Sequence, residues 1–366
     1  MTDITKDPAY NSVDPGDFKA MIEVDRYNAR STAFDKIISA THDHFWDPLD
    51  TRYIDFSEPF DMTKTPIVPF DFVGELQTEI GERMDYEEKV AFTNANVRWM
   101  LSAILHGEQG ALSLSASLCH VLKDPGAQEY AANQAREEAR HVAGFSRYVE
   151  ARWGEPYECG ASLANLLDEM VNAPEVYKKL VGMQMLVEGL AMGAFASLYE
   201  LSNDPLLVKL TQLVMTDEAF HHKFGKIWAD KTIPNVTEAE RNVIEDWAAE
   251  CFQTLLFNLG SPAEKKAIYE PFGIDWEEAL TLIAQRMTTE RRREIMSRQS
   301  SIFRVLTKTL LKAGIITDRT RSLYNTYIDM DELRAESDEM VGDKIAEDGI
   351  EYLKKINFRD GAIAAE

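Results

Sequence analysis

Apolar residues recur at three- and four-residue spacing through most of this chain, while alternating runs closed by hairpin signals are scarce, so the pattern predicts an all-α protein. A helix is expected over 18–40, followed by an extended, proline-punctuated stretch over 46–72. A long helix is predicted over 86–122, ending at Asp124-Pro125-Gly126, and a second runs from there to Trp153, before Gly154. After a looser segment at 156–173, a third helix is expected over 174–201, and Asn203-Asp204-Pro205 turns the chain into a fourth that reaches Asp230. These four read as two helical hairpins. The organisation expected is an N-terminal arm and wrapping segment (1–83), a four-helix bundle (84–232), additional helices packed on it (233–330, including 238–259 and 276–313) and an acidic C-terminal tail (331–366).

The most apolar run, 181–198, carries Gln184 and Glu188 near its middle, which fits a buried helix better than a membrane span. The N-terminus is polar and acidic and has no positive region followed by an apolar stretch, so it does not read as a secretory signal. Three scattered cysteines, Cys119, Cys159 and Cys251, form no CxxC pair and no even-numbered framework, which fits a reducing cytoplasm. A formal charge of −23 over 366 residues disfavours nucleic acid as a partner, because that binding relies on basic side chains that displace counterions from phosphates.

Two short motifs carry the candidate chemistry. They are Glu137-Glu138-Ala139-Arg140-His141 on the second helix and Asp217-Glu218-Ala219-Phe220-His221 on the fourth. Each contains ExxH, and residues three apart share a helix face, so the carboxylate and the imidazole can reach one metal ion. Glu108 precedes Glu138 by 30 residues and Glu188 precedes Glu218 by 30, so the second hairpin repeats the first at an offset of 80. Glu108 and Glu188 sit among small and apolar neighbours, and a buried carboxylate needs a compensating cation or becomes neutral. Oxygen donors with one imidazole per metal suit iron or manganese better than zinc. The expected ligands are therefore Glu108, Glu138, His141, Glu188, Glu218 and His221, holding two iron ions or manganese with iron.

These residues resemble the ferritin-like di-iron carboxylate superfamily, which includes multicomponent monooxygenases, acyl-carrier desaturases, aminobenzoate N-oxygenases and ribonucleotide reductase small subunits. The resemblance covers about 84–230. It implies that Glu108, Glu138 and His141 hold one iron and Glu188, Glu218 and His221 the other, with Glu138 and Glu218 able to bridge. It also implies that Asp217 orients His141 and Glu137 orients His221. Departures from the subfamilies are visible at Phe145, where radical-forming reductase subunits carry tyrosine, at Val214, where N-oxygenases carry a further histidine, and at Met192, where monooxygenases usually present a hydroxyl.

Gly107, Ala111, Phe145, Met192 and Phe195 are candidates for a substrate pocket by their spacing from the ligands, with core packing as the plainer role. His222 and His106 are placed outside the ligand set, and His42 and His44 are expected to cap or pack. The expected activity is that of a dioxygen-activating oxidoreductase, a monooxygenase or oxidase acting on a small organic substrate as a homodimer. An external reductase or ferredoxin would supply electrons, since no flavin or nicotinamide fingerprint and no cysteine cluster is present. A ferritin-type iron-handling protein and a radical-generating subunit are the competing expectations.

Overall fold

The computed structural model describes residues 10–258, 260–297, 301–336 and 342–358, and among these the chain is helical, with one isolated bridge between Ser12 and Leu122. Four long helices dominate. Helix α1 (Tyr86–Val121) begins at a capping box in which Asp85 and Glu88 each take the other's backbone amide. Helix α2 (Pro125–Trp153) is capped by Asp124 with proline at its first position, and Gly154 leaves it at a positive φ of 85°. Helix α5 (Pro205–Thr232) starts in the same way as α2, at Asp204-Pro205, so the 80-residue offset that relates the glutamates relates these two turns as well.

Between them lie α3 (Ala161–Asn172) and α4 (Val176–Leu201). Helix α4 is not wound uniformly: Leu180–Val187 is a π-helix, and α-geometry resumes at Glu188. Each residue added to or removed from a helical turn rotates the remainder of the helix by about 100°, so this segment decides which way Glu188 faces. Helix α4 is long and apolar enough to cross a membrane by composition alone, but 72% of its most apolar window is buried inside the protein. A core helix looks like this. Helices α1 and α2 pack along each other, as do α4 and α5, and α2 also contacts α5.

The other elements depart from expectation in instructive ways. The helix expected over 18–40 is broken into Phe18–Met21, Val24–Asn28, a 3₁₀ turn at Thr32–Phe34 and Asp35–Ala40. Tertiary bonds outweigh continuity here, because the Arg26 guanidinium reaches Lys123 O (2.8 Å) and Gln128 Oε1 (2.5 Å) at the α1–α2 turn. The segment 156–173 contains α3, which buries Leu163, Leu166, Leu167 and Met170. Helix α6 (Glu238–Phe257) matches the expected start of 238–259, and Leu259 lies outside the described residues. The stretch 276–313 is divided into Trp276–Arg286, Thr289–Met296 and α7 (Ile302–Lys312), the second beginning where Thr288 accepts from the Arg291 amide.

The acidic segment also contains helix. Helix α8 (Asp343–Asn357) packs along α5 and buries Leu353 fully, and Met330–Ala335 is a short helix that buries Met330 and Leu333. Both place apolar residues at helical spacing inside a charged sequence, a signal that net charge masks. Residues 337–341 and 359–366 of that tail lie outside the described residues.

Candidate metal centre

Glu108 comes from α1, Glu138 and His141 from α2, Glu188 from α4, and Glu218 and His221 from α5. All six are buried, none more than 5% exposed. They form two overlapping groups whose donor atoms lie within 4.8 Å of one another: Glu108, Glu138, His141 and Glu218 in one, and Glu138, Glu188, Glu218 and His221 in the other. Glu138 and Glu218 belong to both. Each histidine turns Nδ1 inward: His141 Nδ1 lies 3.2 Å from Glu108, 3.3 Å from Glu138 and 3.2 Å from Glu218, and His221 Nδ1 lies 3.1 Å from Glu138 and 3.3 Å from Glu218.

The outward nitrogens are held across the motifs. His141 Nε2 donates to Asp217 Oδ2 and His221 Nε2 donates to Glu137 Oε2, both at 2.9 Å. With the proton kept on Nε2, Nδ1 is free to present a lone pair to a metal.

Around Asp217 and Glu137 lies a layer that the sequence reading missed. Arg140 donates Nε to Asp217 Oδ2 (2.9 Å) and a second guanidinium hydrogen to Asp217 Oδ1, and it lies 3.6 Å from Glu137. Trp46 Nε1 donates to Asp217 Oδ2 (2.9 Å), with its ring nearly parallel to that of His141. His44 Nε2 is shared between Asp217 Oδ1 (3.1 Å) and Glu137 Oε1 (3.4 Å), and its ring stacks on Phe220 at 5.0 Å. The capping or packing role expected of His44 is therefore corrected: this side chain is wholly buried against the two acids that hold His141 and His221. Its partners are some 90 to 170 positions away in sequence, so no local signal marks it.

Gln134 is a further addition. It is fully buried one turn before Glu138 and donates its amide to Glu138 Oε1 (2.9 Å) and Glu188 Oε1 (3.1 Å), joining α2 to α4. The i, i+4 relation to Glu138 was the available clue. His222 faces away, bonded to Thr309 Oγ1 at 2.6 Å, and burial drops its pKa to about 4. His106 reaches the Tyr157 carbonyl at 2.9 Å.

The electrostatics of the two layers differ. Outside, Arg140 and His44 balance Glu137 and Asp217. Burial works against charge on all four, but the ion pairing wins, holding both acids below their usual range and raising His44 to about 9. Inside, four glutamates face only two imidazoles. Burial and neighbouring carboxylates push Glu108 up to about 8, with Glu188 raised as well, while the histidines overcome burial to hold Glu138 and Glu218 down. Burial would lower the histidines, but the surrounding carboxylates raise both.

Without metal the inner layer is thus neutralised by protons, on the imidazoles and on Glu108 and Glu188. Glu138 Oε2 and both oxygens of Glu218 still lack hydrogen-bond partners. Buried acceptors without donors, converging on one point, fit a cation. The four carboxylates match the charge of two divalent ions. Glu137, Asp217 and His44 also lie within ligating reach of one another, but the Arg140 guanidinium between the acids already supplies the positive charge there.

A cavity of about 350 Å³ adjoins Glu108 and Glu188. Of the residues expected to line a pocket, Gly107 and Ala111 do so, on the α1 wall. Phe145 and Phe195 do not: they stack on each other at 5.5 Å in the core, fully buried. Met192 borders a different cavity of about 200 Å³, beside His222, Lys223 and Lys308. No family model matches the chain, and no curated protein shows significant similarity to it.

Proposed function

We propose that the chain is a ferritin-like four-helix bundle enclosing two iron ions, or manganese with iron, and that it activates dioxygen to oxidise a small organic substrate with electrons from an external reductase or ferredoxin. The observation that carries this reading is the sharing of Glu138 and Glu218 between two ligand groups, each completed by one histidine Nδ1 and one further glutamate. Glu108, Glu138 and His141 would hold one metal ion, and Glu188, Glu218 and His221 the other. Bound there, a redox-active pair supplies the electron-transfer steps that reduce dioxygen while a substrate is oxidised.

The chain's own residues do the rest. Asp217 and Glu137 keep the proton of each histidine on Nε2, leaving Nδ1 to ligate. Gln134 restrains Glu138 and Glu188 together. The apolar walls beside Glu108 and Glu188 offer water few hydrogen-bond partners on one side of the centre. A storage protein has no use for such a chamber, and Phe145, packed on Phe195, provides no phenol for a radical at that position.

The test is to load the protein with ferrous iron, mix it with oxygen and follow absorption and peroxide release. Transient absorption or peroxide from about two irons per chain is expected. Its absence, or assembly into a hollow shell with large iron uptake, would overturn the assignment.

A further inference from the structure

The chamber beside Glu108 and Glu188 has a chemistry of its own. Apart from those two glutamates and the Trp99 indole, the side chains that line it are hydrocarbon, with one thioether at Met100. Among the described residues no lysine, arginine, histidine, hydroxyl or amide faces it, whereas the smaller cavity near Met192 is bordered by four lysines. With metal bound, Glu108 and Glu188 are neutralised, so neither a ligand carboxylate nor a ligand ammonium lying in the slot meets an opposite charge or a hydrogen-bonding side chain on its described walls.

Gly107 shows that the space is kept open. It lies inside α1, where glycine costs about 0.5–1 kcal/mol relative to alanine. Beyond its chain neighbours and the backbone of its own helix, no atom lies within 4 Å of where its Cβ would stand, so close packing does not require glycine there. Gly110, one turn-face away, contrasts: a Cβ on it would meet Leu167 at 2.6 Å. Across from Gly107, α4 contributes Ala191 and Ala194 and α6 contributes Leu255.

The α1 wall runs from Trp99 to Ala111, about 18 Å of helix rise, so 350 Å³ is spread as a slot rather than a sphere. An apolar cavity of about 150 Å³ takes one benzene; this one, more than twice as large, has room for a flat or unbranched guest of about ten carbons.

From this we propose that the organic substrate is a neutral, apolar molecule, flat or straight-chained, that lies along this slot with one end at Glu108 and Glu188, and that charged substrates are excluded. The proposal rests on the oxygen-activating reading of the centre. It separates a hydrocarbon-like substrate from carboxylates and amines of the same skeleton.

The experiment measures binding of naphthalene, 2-naphthoate and 2-naphthylmethylammonium to the metal-loaded full chain by calorimetry. These probes share a ring system and differ in charge. Naphthalene is expected to bind at least about tenfold more tightly than either ion, and Gly107→Leu and Ala103→Phe, which fill the slot, are expected to weaken it by at least about tenfold. Ala194→Phe fills the opposite wall and serves if either α1 variant fails to fold.

Equal or tighter binding of an ion would overturn the proposal. So would folded variants with unchanged naphthalene affinity. Metal content, measured on the same samples, tests the centre separately: a protein that selects naphthalene yet holds no metal keeps the slot's selectivity but loses its role as a substrate site.

Discussion

His44 Nε2 lies 3.1 Å from Asp217 Oδ1, so the N-terminal arm supplies a hydrogen to the same carboxylate that holds His141. Burial lowers the His44 pKa, but Asp217 and Glu137 outweigh it and raise the group from 6.5 to about 9. A histidine that is more basic folded than unfolded stabilises the fold fully below pH 6.5, and that contribution disappears as pH rises through about 9. The His44 contribution to the metal-free protein should fall by on the order of 3 kcal/mol over this window, measured by urea unfolding against the variant. His44→Gln should flatten the slope, and an identical slope in the variant would remove His44 as its source.

The sharing of Glu138 and Glu218 predicts an asymmetry among the ligands. Glu138→Ala or Glu218→Ala should empty both positions, whereas Glu108→Ala or Glu188→Ala should leave about one metal per chain. Elemental analysis of purified variants decides it. Equal losses in all four would contradict the shared arrangement.

Metal must displace protons here. Burial and like charge push Glu108 to about 8 and raise Glu188, and the carboxylates overcome burial to raise His141 and His221. At pH 7 the metal-free centre therefore carries protons that the metal-bound centre cannot. Metal affinity should climb as pH rises from 6 to 8, with net acid release seen by an indicator dye in weak buffer. Uptake without proton release would refute this charge balance.

Asp204 caps α5 through the Leu206 amide (3.0 Å), accepts Nε of Arg152 and the hydroxyl of Tyr148 (both 2.7 Å), and is 1% exposed. Asp204→Ala removes the cap and strands a largely buried guanidinium, which should cost about 3–5 kcal/mol. Asp204→Asn keeps a capping oxygen and should cost less. Denaturation midpoints of metal-free protein provide the comparison, and equal losses would show that the Arg152 charge contributes most of the effect.

The chain announces much of this architecture locally. Asp124-Pro125 and Asp204-Pro205 mark helix starts because a side-chain acceptor and a fixed φ act within a turn. ExxH can be read because helical geometry alone puts residues three apart on one face. The broken helix over 18–40 and helix α8 were not legible, since Arg26 and Leu353 take their positions from distant helices.

What the sequence determined by itself is therefore the helical class, the four long helices and the carboxylate and histidine residues at helical spacing, because each depends on interactions within a few residues. Only the tertiary structure decided that Leu180–Val187 winds as a π-helix before Glu188, and that His44 and Trp46 close over Asp217. It likewise decided that Gln134 spans Glu138 and Glu188, and that Gly107 opens on a slot while Phe145 does not. These depend on which surfaces meet across α1, α2, α4 and α5, a matter of packing among residues far apart in the chain that no local pattern encodes.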